Sequence, residues 1–291
     1  FAVFDGHGEA GHVVAEVCID ILPKLFLRAS FEAAPGLSSG GGVAGGSLAD
    51  DGKSASSPWV QGARRAFQDT QNFMEALSSA LIIERAAQGQ PNNEPGRVIV
   101  DAQASGTTAT VVLVMPGGRL LTAHVGDSRA VLGVRPRGDT ASRWRVMDLT
   151  RDHKPDLVDE RARIERCGAQ VLNVGTTTVT SRVFTAQQAW PAINMSRSLG
   201  DLHAHTQGLT HEPEVTLFDS LWNPEAEEAV LILGSDGVWD VLPPAKAVEL
   251  AGQMSPVDPA VAVASLAFQQ WSKRSAQQNY SDDITVIAKF L

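Results

Sequence analysis

The sequence predicts an α+β fold in which stacked antiparallel sheets are flanked by helices. Three observations lead there. Strand-like runs at residues 107–115, 119–125 and 129–134 follow one another closely; each is short, rich in β-branched residues and bounded by Gly, Pro or Asp. Helical patterns come in separate blocks instead of alternating with single strands, which disfavours a doubly wound parallel sheet. Continuous apolar runs such as Val111-Val112-Leu113-Val114-Met115 need cover on both faces, so sheets must pack against other layers.

Taken in order, residues 10–30 place Val14, Val17, Ile21 and Leu25 on one helical face, and residues 59–86 do the same with Val60, Ala63, Phe67, Met74, Leu77 and Leu81. Between them, residues 33–58 (AAPGLSSGGGVAGGSLADDGKSASSP) are Gly/Ser-rich without apolar periodicity and predict a flexible, solvated insertion. Residues 89–96 (GQPNNEPG) carry turn chemistry before the strands begin, and Pro116-Gly117-Gly118 joins the first two strands as a hairpin. A helix over 156–167 stops at Gly168, a natural left-handed cap, and a shorter one covers 244–254. Ser255-Pro256-Val257-Asp258 then offers an N-cap, a first-turn proline and an acid near the capping-box position ahead of a helix over 259–273. Residues 229–234 and 284–290 predict two further strands, and Leu202-His203-Ala204-His205 puts two histidines on one strand face.

With 291 residues, 43% of them hydrophobic, the chain has enough apolar material for a core and is read as a single domain. The 24 Lys+Arg against 33 Asp+Glu leave a formal charge of -9, a poor background for neutralising nucleic-acid phosphates, so no nucleic-acid partner is expected. Cys18 and Cys167 cannot make a disulfide framework, which points to a reducing, intracellular compartment, cytoplasmic or nuclear. No window approaches the roughly 18 consecutive apolar residues of a membrane span, and a monomer is expected. Residues 1–4 already read as a strand and the first residue is Phe, so the natural start is expected upstream, which leaves N-terminal targeting unreadable.

The chemistry lies at strand ends. Phe1-Ala2-Val3-Phe4 delivers Asp5-Gly6-His7-Gly8; Leu121-Thr122-Ala123-His124-Val125 runs into Gly126-Asp127-Ser128; Val230-Leu231-Ile232-Leu233-Gly234 runs into Ser235-Asp236-Gly237-Val238-Trp239-Asp240; and Ser281-Asp282-Asp283 precedes the last strand. Four edges that each present an Asp beside Gly or Ser make a set of hard oxygen donors without accompanying Cys or paired His. Such a set suits Mg²⁺ or Mn²⁺ rather than zinc.

These residues resemble the metal-dependent serine/threonine protein phosphatases of the PP2C (PPM) family. The resemblance runs in order through FAVFDGHG, SGTTAT, LTAHVGDSRAVL, LTRDHKPDLVDERARIERCGAQV, MSRSLGD, EPEV, LILGSDGVWDVL and SDDITVI. It implies a four-layer αββα sandwich, two stacked antiparallel sheets with helices outside both. It implies phosphoprotein substrates and two Mn²⁺ or Mg²⁺ ions, with a weaker third in some members. On that resemblance Asp5 corresponds to the carboxylate bridging two ions and Gly6 offers its carbonyl. Asp236 and Asp282 complete the first ion, Asp127 and Asp240 match the weaker site, and His7 matches the general acid. Asp201 falls in a segment beside the metal-bound waters. The implied reaction is in-line attack of a hydroxide bridging the two ions on phosphoserine or phosphothreonine, with His7 protonating the leaving alkoxide. Residues 172–195 fall where the family carries a variable flap beside the active site.

Three departures stand out. The family's opening strands supply an arginine for the substrate phosphate and an acidic pair for the second metal, and no Arg-then-Glu-Asp motif precedes Asp5. Glu9 stands where a second Gly is common, and Asp283 where Asn usually follows the metal-binding Asp. The rival reading is a pseudophosphatase that binds a partner through the same fold; retention of Asp5, His7, Asp236 and Asp282 favours the enzyme. An aspartyl-phosphate mechanism needs a second acid two residues after Asp5, where His7 stands. The remaining conspicuous residues have structural readings: His153 shapes a turn, Trp239 is a core anchor that aims Asp236 and Asp240, and Arg129 pairs with a nearby acid.

Overall fold

The computed structural model describes residues 1–33, 57–88, 100–175, 180–185, 188–253, 258–278 and 280–291. The predicted insertion therefore lies outside the described residues except at its ends, as do 89–96, Thr176-Thr177-Thr178 and Ser255-Pro256-Val257. In chain order the elements begin with β1 (Ala2–Val3), β2 (Gly6–His7), α1 (Gly11–Ala33), α2 (Pro58–Gln88), β3 (Gly106–Thr107), β4 (Ala109–Met115), β5 (Arg119–Val125), β6 (Arg129–Pro136) and β7 (Arg145–Asp148). They continue with α3 (Val158–Arg166), β8 (Ala169–Val174), β9 (Thr180–Thr185), β10 (Gln188–Ile193), β11 (Leu199–Gly200), α4 (Leu202–His205) and β12 (Glu214–Phe218). The last are β13 (Glu227–Gly234), α5 (Asp236–Trp239), α6 (Pro244–Ala251), α7 (Pro259–Gln278) and β14 (Val286–Phe290). The fold is α+β with several antiparallel sheets, and no described helix is long and apolar enough to cross a membrane.

The chain divides into two compact units. The first comprises Phe1–Val3, Thr110–Asp152 and Glu214–Leu291. It holds two four-stranded sheets, ordered β1-β4-β5-β12 and β14-β13-β6-β7. Side-chain alternation along β6 and β13 explains why both faces of the second sheet are apolar. Ala130, Leu132, Val134, Ala229, Leu231 and Leu233 point one way and pack with Val3, Val112 and Leu120 of the first sheet. Val131, Val230 and Ile232 point the other way, onto Val248 and Ala251 of α6 and Val263 and Ala267 of α7. Two stacked sheets and one helical layer thus sit in this unit.

The second unit comprises Phe4–Ala109 and His153–Pro213. Here α1 packs on α2, and both carry short strands against them, ordered β11-β3-β2; a separate three-stranded sheet is ordered β10-β9-β8. The buried stripe of α1 is Val14, Cys18, Leu22, Phe26 and Ser30, displaced from the predicted Val17, Ile21 and Leu25, which are only half-buried. Cys18 and Ser30 complete a four-residue periodicity that a reading by large apolar residues alone passes over.

Three further expectations change. The run 107–115 breaks at Thr108, whose backbone N–H donates to Asp5 O (2.9 Å), so the chain turns there between β3 and β4. Residues 202–205 form the short helix α4, not a strand, so His203 is exposed while His205 is half-buried. Asp258 is itself the N-cap of α7: its Oδ1 accepts from the Ala260 N–H at 2.8 Å. The predicted stop after α3 is present, Gly168 having φ +86°.

Candidate active site

Within the second unit, the strand β2 brings Asp5-Gly6-His7 against β3. Asp5 is pinned twice, donating its N–H to Thr108 Oγ1 (3.0 Å) and accepting from the Thr108 N–H. Gly6 admits no side chain, since a Cβ there would lie 2.3 Å from Gly11 O. In register, Gly106 of β3 sits opposite His7 on one side and Gly200 of β11 on the other. Asp201, immediately after β11, takes the left-handed conformation (φ +47°), uncommon outside Gly, Asn and Asp. Its carboxylate reaches across β3, where Gly106 presents no side chain, and Oδ2 lies 2.6 Å from His7 Nε2. Ser198 Oγ donates to the same oxygen at 2.6 Å.

The backbone strain at Asp201 is held from behind by α2. The Gln71 side chain donates to Gly200 O (3.1 Å) and accepts from the Gly200 N–H (2.9 Å), a two-way clamp on the residue before Asp201. Beside His7 lies a cleft of about 190 Å³ lined by Gly8, Gln103, Arg182, Asn194 and Asp201 among others. Arg182, Ala192, Ile193 and Asn194 thus border the candidate acid, and Arg182 Nη1 donates to Ala192 O at 2.5 Å, holding a residue at φ +55°. His205, stacked on His211 with centroids 5.4 Å apart, is driven down to about 4 by burial first and by His211 second.

Within the first unit, sheet register gathers the other acids. Arg129 of β6 pairs with Gly234 of β13, so the turn carrying Asp127 and the exit carrying Asp236 share one sheet edge. Gly234 pairs with Val286 of β14 on its other side, and the Ser235 N–H donates to Thr285 O, bringing Asp282 and Asp283 to that edge. Gly237 lies so close to Asp283 that a Cβ would come 2.1 Å from its carbonyl oxygen. Trp239 anchors the α5 turn from the core, its Nε1 donating to Gly234 O at 2.8 Å. Arg129 makes the expected pair, a bidentate one with Asp152 at 2.8 and 2.9 Å. The hydrogen bond to Asp152 raises its guanidinium further, and Asp240 adds to that field. Asp236, Asp240 and Asp282 also act together on Tyr280: partial burial and then its hydrogen bond to Asp282 push the phenol up, and the three carboxylates reinforce the shift. Carboxylates carried to one sheet edge make an all-oxygen donor set, which fits Mg²⁺ or Mn²⁺.

Residues 44–279 match the family model described as "Protein phosphatase 2C". The chain belongs to the protein phosphatase 2C family. Among curated relatives, "Probable protein phosphatase 2C 66" of Oryza sativa subsp. japonica is 30% identical over 99% of this chain. "Probable protein phosphatase 2C 72" of Arabidopsis thaliana is likewise 30% identical over 99%. The chain spans 53% of the rice protein and 75% of the Arabidopsis protein. Among solved structures, the serine-threonine phosphatase 2C from Toxoplasma gondii superposes with TM-score 0.72 at 22% identity, covering 100% of this chain and 83% of that one. A C. elegans sex determining protein superposes with TM-score 0.61 at 20% identity, covering 99% and 55%. This chain therefore has the protein phosphatase 2C fold.

The predicted residues fall into two sets, each ordered within its own unit: Asp5, Gly6 and His7 in one, and Asp127, Asp236, Asp240 and Asp282 in the other. Asp127 is buried, Asp236 and Asp282 half-buried and Asp240 exposed. Asp201, expected in a segment beside metal-bound waters, is the hydrogen-bonding partner of His7. That pairing was out of reach because it depends on a gap at Gly106, 95 residues before it. Gln71 and Tyr280 were also missed. Only their polarity at helical or strand-end positions hinted at a role, and neither lies within the family-like segments of the sequence.

Proposed function

We propose that this chain is a metal-dependent protein serine/threonine phosphatase that hydrolyses phosphoserine and phosphothreonine, with Asp5, the Gly6 carbonyl, Asp236 and Asp282 as ligands of two Mn²⁺ or Mg²⁺ ions. Asp127 and Asp240 are assigned to a weaker third. When bound, such ions supply an acidified water as nucleophile and positive charge for the phosphoryl oxygens. The observation that carries the reading is the His7–Asp201 pair at 2.6 Å. A carboxylate on one imidazole nitrogen orients the ring and balances the positive charge of the imidazolium, the form a general acid must start in.

In the reaction, oxygen from water bonds to phosphorus as the bond from phosphorus to the serine or threonine oxygen breaks. Because the nucleophile is water, no phosphoenzyme forms; His7 gives a proton to the departing oxygen and regains one from water. The pseudophosphatase reading is less well supported, because an organised imidazole–carboxylate pair serves proton transfer and contributes nothing evident to a binding scaffold. Two substrates test the role of His7: a phosphothreonine peptide, whose alkoxide leaves poorly, and p-nitrophenyl phosphate, whose phenolate leaves without a proton. His7→Ala is expected to lower kcat on the peptide by roughly 100-fold or more and much less on the aryl ester. Equal losses on both would remove His7 from the role of acid.

A further inference from the structure

Tyr280 lies two residues before Asp282 and is 57% exposed, yet its hydroxyl is committed to the protein, donating to Asp282 Oδ2 at 2.8 Å. The other carboxylate oxygen, Oδ1, accepts from the Asp283 N–H at 2.9 Å. Asp282 is thus fixed at both oxygens. Each carboxylate oxygen has two lone-pair sites, so one hydrogen bond apiece leaves room for a cation while removing the rotation the side chain would otherwise lose on binding it.

The phenol ring is itself held. It meets the Trp271 indole in a T-shaped arrangement, with centroids 5.8 Å apart and planes at 84°. Trp271 is buried on α7, and its Nε1 donates to Gly237 O at 2.6 Å, inside the turn that carries Asp236 and Asp240. Arg274, one turn further along α7, lies over the same indole at 5.6 Å and donates to Asp240 O at 3.0 Å. One aromatic anchor therefore ties Tyr280, and through it Asp282, to the backbone that sets the other two carboxylates.

We propose that Tyr280 is a positioning residue for the divalent cation, presetting the Asp282 carboxylate through its hydroxyl. This rests on the metal-dependent reading above. Partners that orient a ligating side chain typically govern metal affinity by 10- to 100-fold.

The test is Mn²⁺ binding by wild-type protein and Tyr280→Phe, which keeps the ring against Trp271 and removes only the hydroxyl, measured by isothermal titration and by the electron paramagnetic resonance signal of free Mn²⁺. Weakening of about 10-fold in Kd is expected, with the melting temperature of the metal-free protein unchanged and kcat recovering at saturating Mn²⁺. Wild-type binding with Kd in Tyr280→Phe within twofold of it would overturn the role of Tyr280 and leave the metal reading standing. Absence of Mn²⁺ binding by the wild type would overturn both.

Discussion

Replacing Gly106 by alanine tests the geometry of the candidate acid. A Cβ built there comes 2.2 Å from Asp201 Oδ2, 2.6 Å from its Cγ and 2.7 Å from Leu199 O. Ordinary contact starts at 3.4 Å, so the carboxylate must withdraw by about 1.2 Å. A shift of that size takes the 2.6 Å bond to His7 out of hydrogen-bonding range. Losing a hydrogen bond to a charged group costs about 1.5–3 kcal/mol. If that cost falls on the transition state, kcat drops roughly 10- to 150-fold. The assay is turnover of a phosphothreonine peptide at saturating Mn²⁺, with melting temperature recorded beside it. Asp201→Asn separates loss of charge from steric damage, because Asn tolerates the left-handed backbone at 201 and introduces no clash. Both variants folded and within twofold of wild type on the peptide would refute the role of the His7–Asp201 pair.

Two other perturbations probe the scaffold behind that pair. Glu160 is buried, and although burial alone would raise its carboxyl, hydrogen bonds from Arg197, Arg163 and Ser196 outweigh it and hold the group well below the ordinary range. Glu160→Ala takes the buried carboxylate away from the half-buried Arg163 and Arg197 guanidiniums and is expected to destabilise by about 1.5–3 kcal/mol in urea denaturation; a loss under 0.5 kcal/mol would contradict the network. His205, at about 4, binds its proton less readily folded than unfolded, where the ordinary value is 6.5. Stability should be full above pH 6.5, fall as pH drops towards 4 by up to roughly 3 kcal/mol, and level off below. His205→Gln should flatten that part of the melting-temperature profile, and an unchanged slope would assign it to other groups.

How much of this was legible depended on whether the information was local. The α+β class, the hairpin at Pro116-Gly117-Gly118 and the strands β5, β6 and β13 follow from β-branched runs and turn residues, which act within a few positions. The strand-end acids were visible for the same reason. Legibility failed where tertiary contacts decided the outcome. The stripe of α1 is set by what α2 and the short strands offer it, and a four-residue α4 is set by the chain's exit from β11 instead of by propensity. The two-way clamp of Gln71 on Gly200 and the passage of Asp201 over Gly106 join segments 129 and 95 residues apart in sequence, and no periodicity encodes either.

Hydrolysis of a phosphothreonine peptide by the purified protein, followed as Mn²⁺ is titrated in and then removed with EDTA, bears most directly on the proposed chemistry. Turnover is expected to appear with Mn²⁺ or Mg²⁺, to vanish with the chelator and to be lost in Asp236→Ala, with Mn²⁺ binding lost in parallel. Turnover that persists in EDTA, or an Asp236→Ala variant as active as wild type, would contradict a metal-dependent phosphatase built on these carboxylates.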